Sequence, residues 1–205
     1  MMLPNSAQED DTFVWTVEGQ PCGEFSASKT WEALRPKESE KEWADLVWFK
    51  GSTPKQAFHM WLANLDRLPT RSRLASWGMN IPITCCLCGV SEETRDHLFL
   101  HCQFSQVLWK AVLQKLKLPQ TLFTDWRALL AWSKDFNPSS PKTLRILVVH
   151  AVVYNVWRQR NNIYHNQVSI PPLTIFRDID RLIRNSITAR RNLKSFRNLM
   201  ALWLS

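Results

Sequence analysis

The sequence has little glycine, no long apolar segment and no secretory leader. Its 205 residues include only 5 glycines and 11 prolines, too few for a collagen-like or low-complexity chain. No apolar run approaches the roughly 20 residues that a membrane-spanning helix needs. The first eleven residues are polar and acidic, unlike a signal peptide. We therefore expect an intracellular protein, in the nucleus or the cytoplasm, that is neither secreted nor bound to a membrane.

The residues that are present have the balance of a globular protein. Hydrophobic residues make up 45% of the chain and charged residues 21%, which excludes a mostly disordered chain. At this length, folding removes about 70% of the surface of the unfolded chain, so a substantial core can form. The 11 tryptophans are unusually many. Because large rings stabilise most when buried, we expect them mainly in the core.

Acidic residues are scarce over most of the chain. Residues 1–49 carry 4 Lys and Arg against 10 Asp and Glu, a net charge of −6. Residues 50–205 carry 22 against 8, a net charge of +14, and residues 140–205 alone carry 11 against 2. Such a concentration of positive charge is typical of proteins that bind a polyanion, most often nucleic acid. It is equally compatible with an ordinary solvated surface.

Hydrophobic periodicity predicts a mainly α-helical fold with a small N-terminal β-hairpin. Alternating apolar residues around a glycine-containing turn predict the hairpin over 12–27. Apolar residues at helical spacing predict helices over 29–34, 43–49, 55–65, 70–77, 94–100, 105–116, 124–132, 142–164 and 173–204. The last of these carries an apolar seam over 175–203, which predicts a partner helix or self-association.

Three of the five cysteines lie within four residues and indicate metal binding. Cys85 and Cys88 form a C-x2-C pair, which aims two thiolates at one point. His97 and Cys102 can complete a set of four nitrogen and sulphur ligands, which is typical of a closed structural zinc site. Because such a site leaves no position for water, we expect one structural Zn2+ and no catalytic metal. The predicted fold therefore includes a zinc-stabilised knuckle between helices.

The residues alone leave alternatives to this ligand set open. The cysteines can be buried without a metal, and Cys86 competes with Cys85, although C-x-C spacing is poorer. His101 competes with Cys102, because in an unbroken helix His97 lies about 40° from His101 and about 140° from Cys102. Helix geometry therefore favours His101 unless the helix unwinds after residue 100. The softness of a thiolate favours Cys102.

The cysteine segment belongs to a longer pattern of spaced residues. The pattern consists of Asp11, Trp15, Gly23, Glu24, Phe25, Ser26, Trp31, Leu34, Trp43, Trp48, Pro54, Lys55, Phe58, Trp61, Leu62, Arg67, Leu68, Pro69, Thr70, Arg73, Leu74, Gly78, Cys85, Cys88, Gly89, Glu93, Thr94, His97, Leu98, Phe99, Cys102, Ser105 and Trp109. It resembles the reverse-transcriptase zinc-binding domain of plant LINE-type, non-LTR retrotransposons, over residues 11–113.

The resemblance implies a ligand set, a domain division and an origin. The ligands of the family correspond to Cys85, Cys88, His97 and Cys102, which favours Cys102 over His101. Trp157-Arg158-x-Arg160-Asn161-Asn162 resembles, less specifically, segments that follow this domain. We predict a polar leader over 1–10, the zinc-binding domain over 11–135, a linker over 136–141 and a basic helical region over 142–205.

The chain lacks the acidic residues that catalysis in such elements requires. Its only Asp-Asp pair, Asp10-Asp11, has no tyrosine two residues before it, as a polymerase hairpin needs. After residue 135 the only acids are Asp178 and Asp180, too few for a ribonuclease H site. The length leaves no room for endonuclease and palm domains. We therefore expect no enzymatic activity and no small-molecule substrate.

Two functional hypotheses follow. The first is a non-catalytic zinc-binding domain, derived from a retrotransposon reverse transcriptase, that binds RNA or single-stranded DNA. The arginines predicted to contact nucleic acid are Arg67, Arg71, Arg73, Arg177, Arg181, Arg184 and Arg191. The second is a protein-interaction or scaffolding module acting through the 175–203 seam, or a retroelement relic without nucleic-acid binding.

Overall fold

The chain divides into two compact units, Met1–Lys41 and Glu42–Ser205. The computed structural model describes residues 13–36, 39, 41–135 and 137–205, so the predicted leader over 1–10 lies outside the described residues. The described part is mostly helical, with an antiparallel hairpin near its N-terminus. The predicted fold class is therefore confirmed. No described helix combines the length and apolarity that crossing a bilayer requires.

The first unit consists of the predicted hairpin and one helix. Strands β1 (Trp15–Val17) and β2 (Gln20–Cys22) pair with Trp15 opposite Cys22. The two residues between the strands, Glu18 and Gly19, have φ of +51° and +76°, as a tight type I′ hairpin turn requires. Helix α1 (Ala27–Leu34) follows, and its N-cap is Ser26, which accepts a hydrogen bond from the Lys29 amide at 3.4 Å.

The second unit is helical throughout its described elements. These are α2 (Ala44–Val47), α3 (Pro54–Asn64), α4 (Arg71–Ser76), a π-helical turn (His97–His101), α5 (Gln103–Lys115), α6 (Trp126–Lys134), α7 (Lys142–Asn166), α8 (Pro172–Ala189), a 3-10 turn (Lys194–Phe196) and α9 (Leu199–Leu204). Helix α7 lies at the centre, in contact with α3, α5, α6, α8 and the π-helical turn. Its residues 144–153 are all buried, which is typical of a helix that is apolar on every side.

The predicted linker over 136–141 lies inside the second unit. Ser140 is buried, and Arg145 of α7 donates to its carbonyl oxygen at 3.0 Å and to its hydroxyl oxygen at 3.1 Å. Arg145 also donates to the carbonyl oxygen of Trp132 in α6 at 2.8 Å. These bonds fasten the connection between α6 and α7 to both helices, so the helices on either side of it share one core.

The apolar seam over 175–203 has its partner helices within the same chain. Ile175, Ile179, Ile183 and Ile187 are buried, and their helix packs against α5 and α7. The single long helix predicted over 173–204 is interrupted: α8 ends at Ala189, and α9 packs back on it. These side chains repeat every four residues within α8 because they face one packed interface. The buried residues of the seam therefore meet partner helices of the same chain, and self-association through 175–203 stays a prediction.

A buried histidine joins α7 to α2. The His150 Nε2–H donates to the carbonyl oxygen of Leu46 at 2.8 Å, and its ring meets the edge of Phe49 at 5.3 Å between centroids. The side chain is 1% exposed. Burial disfavours the charged ring and lowers the pKa of His150 from its ordinary 6.5 to about 4, despite the opposing effect of the hydrogen bond.

This depressed pKa predicts that acid destabilises the protein through His150. Between pH 6.5 and 4 the unfolded chain takes up a proton that the folded chain excludes. The free energy of unfolding therefore decreases as the pH is lowered. At about pH 5.5 the loss is about 1 kcal/mol. Urea unfolding at about pH 7 and 5.5 should show a smaller pH dependence for His150→Leu, whatever its absolute stability. Identical pH dependence in both proteins would contradict this role, since both keep the zinc ligands.

Candidate metal centre

The first two predicted ligands lie on a tight knuckle. Thr84 pairs with Glu92 as an isolated antiparallel bridge, and the Cys85 amide donates to the carbonyl oxygen of Ser91 at 2.7 Å. The Gly89 amide donates a hydrogen bond to the carbonyl oxygen of Cys85 at 2.8 Å, and Gly89 lies in the left-handed region at φ +70°. This turn brings the Cys85 and Cys88 thiols to one side of the knuckle.

The other two ligands flank the π-helical turn. The Cys102 amide donates to the carbonyl oxygen of His97, an i to i+5 bond of 2.6 Å, which is the spacing of a π turn. Cys102 itself leaves the helix, with φ −59° and ψ 132°. The wider turn brings Cys102 back over His97, which a regular α-helix would not do. His101 points elsewhere, since its Nε2–H donates to the carbonyl oxygen of Thr124 at 3.0 Å.

Core packing holds the π-helical turn in place. Its three central side chains, Leu98, Phe99 and Leu100, are all at most 1% exposed. The Trp109 indole of α5 donates to the carbonyl oxygen of Phe99 at 2.7 Å. Three consecutive buried residues cannot all face one side of a regular helix, so the segment is surrounded by core on several sides.

The distances between the four ligand atoms fit a single zinc ion. All four atoms lie within 4.8 Å of one another. The Cys85 and Cys102 sulphurs are 3.9 Å apart, and the Cys88 sulphur is 3.3 Å from His97 Nε2. Tetrahedral zinc with Zn–S bonds of about 2.3 Å separates two sulphurs by about 3.8 Å. Since Cys85 and Cys102 are fully buried, the site is closed and structural in type.

The pKa values of the cysteines distinguish the ligand Cys85 from the neighbouring Cys86. The Cys102 thiol hydrogen-bonds to Cys85 and thereby lowers the pKa of Cys85 to about 5, while the pKa of Cys102 rises. The Cys85 thiolate is therefore favoured before the metal binds, and zinc displaces the Cys102 proton when it binds. Burial and the nearby Glu93 carboxylate raise the pKa of Cys86 to about 12. Cys86 therefore stays a protonated thiol, a poor metal ligand.

Comparison with known families agrees with this geometry. Residues 25–109 match the family described as zinc-binding in reverse transcriptase. This zinc-binding region contains all four ligands and ends within α5. The match is to the zinc-binding domain of these enzymes and not to a polymerase or nuclease domain. Comparisons with curated proteins and with solved structures found no significant match. The expectation of one structural zinc is confirmed.

A buried ion pair joins the zinc-binding region to α7. Both Arg160 Nε and Nη2 donate to Glu93 Oε1, at 3.0 and 2.7 Å, and the Arg71 amide donates to the same oxygen at 2.9 Å. The side chains of Glu93 and Arg160 are 0% and 3% exposed. Cys86 completes the cluster, with its sulphur 3.4 Å from Glu93 Oε2. Sequence reasoning missed this pair, because the partners are 67 residues apart and no local pattern connects them.

Two of the arginines predicted to contact nucleic acid also have contacts within the protein. Arg71 donates to the carbonyl oxygen of Thr84 at 2.6 Å, and its guanidinium lies 5.4 Å from the centre of the Tyr164 ring. Arg73 donates to the carbonyl oxygen of Asp66 and stacks over the ring of Trp77. Arg67 is exposed.

The remaining predicted arginines lie at the surface of α8 and just beyond it. Arg181 pairs with Asp178 at 3.0 Å and Arg184 with Asp180 at 3.2 Å, and Arg177 donates to a threonine hydroxyl one turn earlier. Together with Arg177, they line one shallow cleft. Arg191 is exposed after the end of the helix. Arg67, Arg71 and Arg73 do not line this cleft. The structure therefore does not bring the seven predicted arginines together in one site.

The ligand geometry predicts the effect of single substitutions on metal content. We expect one zinc per purified chain, and loss of that zinc with a lower Tm in Cys88→Ser and Cys102→Ser, because a structural site contributes folding free energy. Metal analysis and thermal unfolding measure both effects. Cys22→Ser and His101→Ala are the controls and should keep the metal. A Cys102→Ser variant that keeps zinc, beside a His101→Ala variant that loses it, would contradict the ligand set.

The buried pair predicts a large loss of stability when one partner is removed. Arg160→Met leaves the Glu93 carboxylate buried and uncompensated, and should lower the free energy of unfolding by about 3–5 kcal/mol. The matched control is Arg158→Met, which removes an exposed pair with Asp178 and should cost about 0–1 kcal/mol. Chemical denaturation of zinc-loaded protein measures both values. Equal costs for the two variants would show that burial of the pair is energetically irrelevant.

Proposed function

We propose that the chain is a non-catalytic accessory domain, derived from the reverse transcriptase of a plant LINE-type retrotransposon, that binds RNA or single-stranded DNA. The observation that carries the proposal is a closed four-ligand zinc site within a region matching reverse-transcriptase zinc-binding domains, set in a strongly basic unit. The plant LINE-type origin rests on the sequence resemblance alone.

The closed zinc site supports a non-catalytic role. Three thiolates and one imidazole complete a tetrahedral shell, so no coordination position is open to a substrate or to water. The metal therefore fastens the knuckle to the end of the π-helical turn. The absence of polymerase and nuclease signatures in the sequence points the same way. An intracellular location, in the nucleus or the cytoplasm, belongs to the same proposal, because reducing compartments keep thiolate ligands available.

The charge of the second unit supports a nucleic-acid partner. Residues 42–205 carry 22 Lys and Arg against 10 Asp and Glu, a net charge of +12. Release of counterions from phosphates makes such a surface bind polyanions with a strong dependence on salt. The alternative scaffolding role through the 175–203 seam has less support, because the four isoleucines of α8 are buried within the chain.

The proposal predicts binding that weakens steeply with salt. We expect zinc-loaded full-length protein to bind a labelled single-stranded RNA or DNA, with at least about a tenfold loss of affinity between roughly 50 and 200 mM salt. Fluorescence anisotropy measures the affinity at each salt concentration. Polyglutamate of equal total charge is the control, and should compete poorly if bases as well as charge contribute. Absent or salt-independent binding would refute the proposal.

A further inference from the structure

A basic groove lies between α3, α7 and α8, in contact with no zinc ligand. It encloses a cavity of about 510 Å³. Four of its lining residues are cationic, Lys55, Arg158, Arg181 and Arg190, and one, Asp178, is acidic. The net charge of its lining is therefore +3. Of the arginines predicted to contact nucleic acid, this groove contains only Arg181.

The cations of the groove are held in place by neighbouring groups. Asp178 accepts from Arg158 at 2.9 Å and from Arg181 at 3.0 Å, so one carboxylate orients two guanidinium groups. Both arginines keep unpaired donors, since a guanidinium has five N–H groups. The Lys55 ammonium lies 5.6 Å from the centre of the Tyr154 ring. These contacts arrange positive charge along the groove before any ligand binds.

The Arg190 side chain passes close to Gly51 on its way to the groove, and a side chain at position 51 would crowd it. It donates to the carbonyl oxygen of Ser52 at 3.4 Å and to the hydroxyl oxygen of Thr53 at 3.3 Å. Gly51 has φ +98°, and a Cβ there would lie 2.8 Å from the ring of Phe196 and 3.0 Å from Arg190 Cδ. The backbone before α3 is therefore shaped so that this guanidinium can reach the start of the helix.

A buried acceptor in the lining of the groove points to a ligand with hydrogen-bond donors. Asn155 is fully buried, and its Nδ2 donates to the carbonyl oxygen of Ala151 at 2.8 Å. Its Oδ1 has no hydrogen-bond partner among the described residues. A buried polar atom is normally paired, so the groove suits a ligand that brings a hydroxyl or an amino group.

An aromatic strip continues from the groove across α3. It consists of Tyr154, His59, Phe58, Trp61 and Trp48, whose successive ring centres are 5.3, 6.0, 5.8 and 6.4 Å apart. Phe58 is 48% and Trp48 51% exposed. Large rings that stay this exposed beside a cationic groove are typical of surfaces on which unpaired bases stack.

We infer that the basic groove and the aromatic strip together bind single-stranded nucleic acid. The cations contact backbone phosphates, the exposed rings stack on bases, and Asn155 Oδ1 accepts a hydrogen bond from a base amino group or a sugar hydroxyl. A duplex does not fit this chemistry, because its bases are already stacked and paired. The inference rests on the proposed function and specifies the surface that performs it.

Two paired sets of variants test the charges and the rings separately. The charge variant is Lys55→Gln with Arg181→Gln, and its control is Lys110→Gln with Arg197→Gln, which removes two exposed cations outside the groove. The ring variant is Trp48→Ala with Phe58→Ala. Its control is Trp31→Ala with Phe13→Ala, one exposed tryptophan and one exposed phenylalanine of the first unit.

The probes are oligocytidylates of about 12 nucleotides in ribose and deoxyribose form, whose bases carry an amino group, with a duplex of the same length for comparison. We expect the charge variant to bind both single strands about tenfold more weakly, with a salt slope reduced by about 1.4. The ring variant should bind the single strands at least about tenfold more weakly, with an unchanged salt slope. Tighter binding of the ribose strand would favour the sugar hydroxyl over the base amino group as the partner of Asn155. Zinc content and circular dichroism verify the fold of each variant.

The outcomes separate this inference from the proposed function. If the wild type binds single strands but the groove variants bind as well as the wild type, or lose no more than their controls, the inference is wrong and the proposed function stands. Equal affinity for the duplex also overturns it. If zinc-loaded wild type binds no nucleic acid, both are wrong.

Discussion

The buried pair of Glu93 and Arg160 is the interaction on which the arrangement of the second unit depends. The four zinc ligands all lie between residues 85 and 102, so the metal closes a local loop. The Glu93 carboxylate reaches further, to the guanidinium of α7 and to the first amide of α4. A carboxylate is tolerated at 0% exposure only when such donors surround it. The metal shapes the knuckle, and the ion pair sets its position against the central helix.

The zinc site and the Glu93–Arg160 ion pair are electrostatically separate, because each balances most of its own charge. Three thiolates around Zn2+ leave a net charge of −1 at the site, while Glu93 and Arg160 neutralise one another. Cys86 lies between them and stays protonated, because burial and Glu93 raise its pKa. A thiolate at Cys86 would be repelled by that carboxylate. The same environment therefore excludes Cys86 from the ligand set and leaves the role to Cys85.

The sequence predicts features that depend on local spacing, such as the metal ligands, but it does not predict contacts that depend on packing. The C-x2-C pair predicted the metal and its type, since two thiols on one turn converge regardless of the remaining fold. Helical periodicity alone favoured His101 over Cys102, because it assumes 3.6 residues per turn, and only the family resemblance favoured Cys102 before the π-helical turn was seen. The turn itself has no signal in the sequence pattern, although its central residues 98–100 are all buried. The pairing of Glu93 with Arg160 was out of reach, since nothing local encodes a contact across 67 residues.

Helix α7 physically connects the zinc-binding region with the proposed nucleic-acid groove. Arg158 and Arg160 are two residues apart, hence about 200° apart around the helix. Arg160 faces Glu93 and is buried, whereas Arg158 faces the groove and is exposed. The ion pair that fixes the rotation of α7 against the knuckle therefore also fixes the direction in which Arg158 and Tyr154 point.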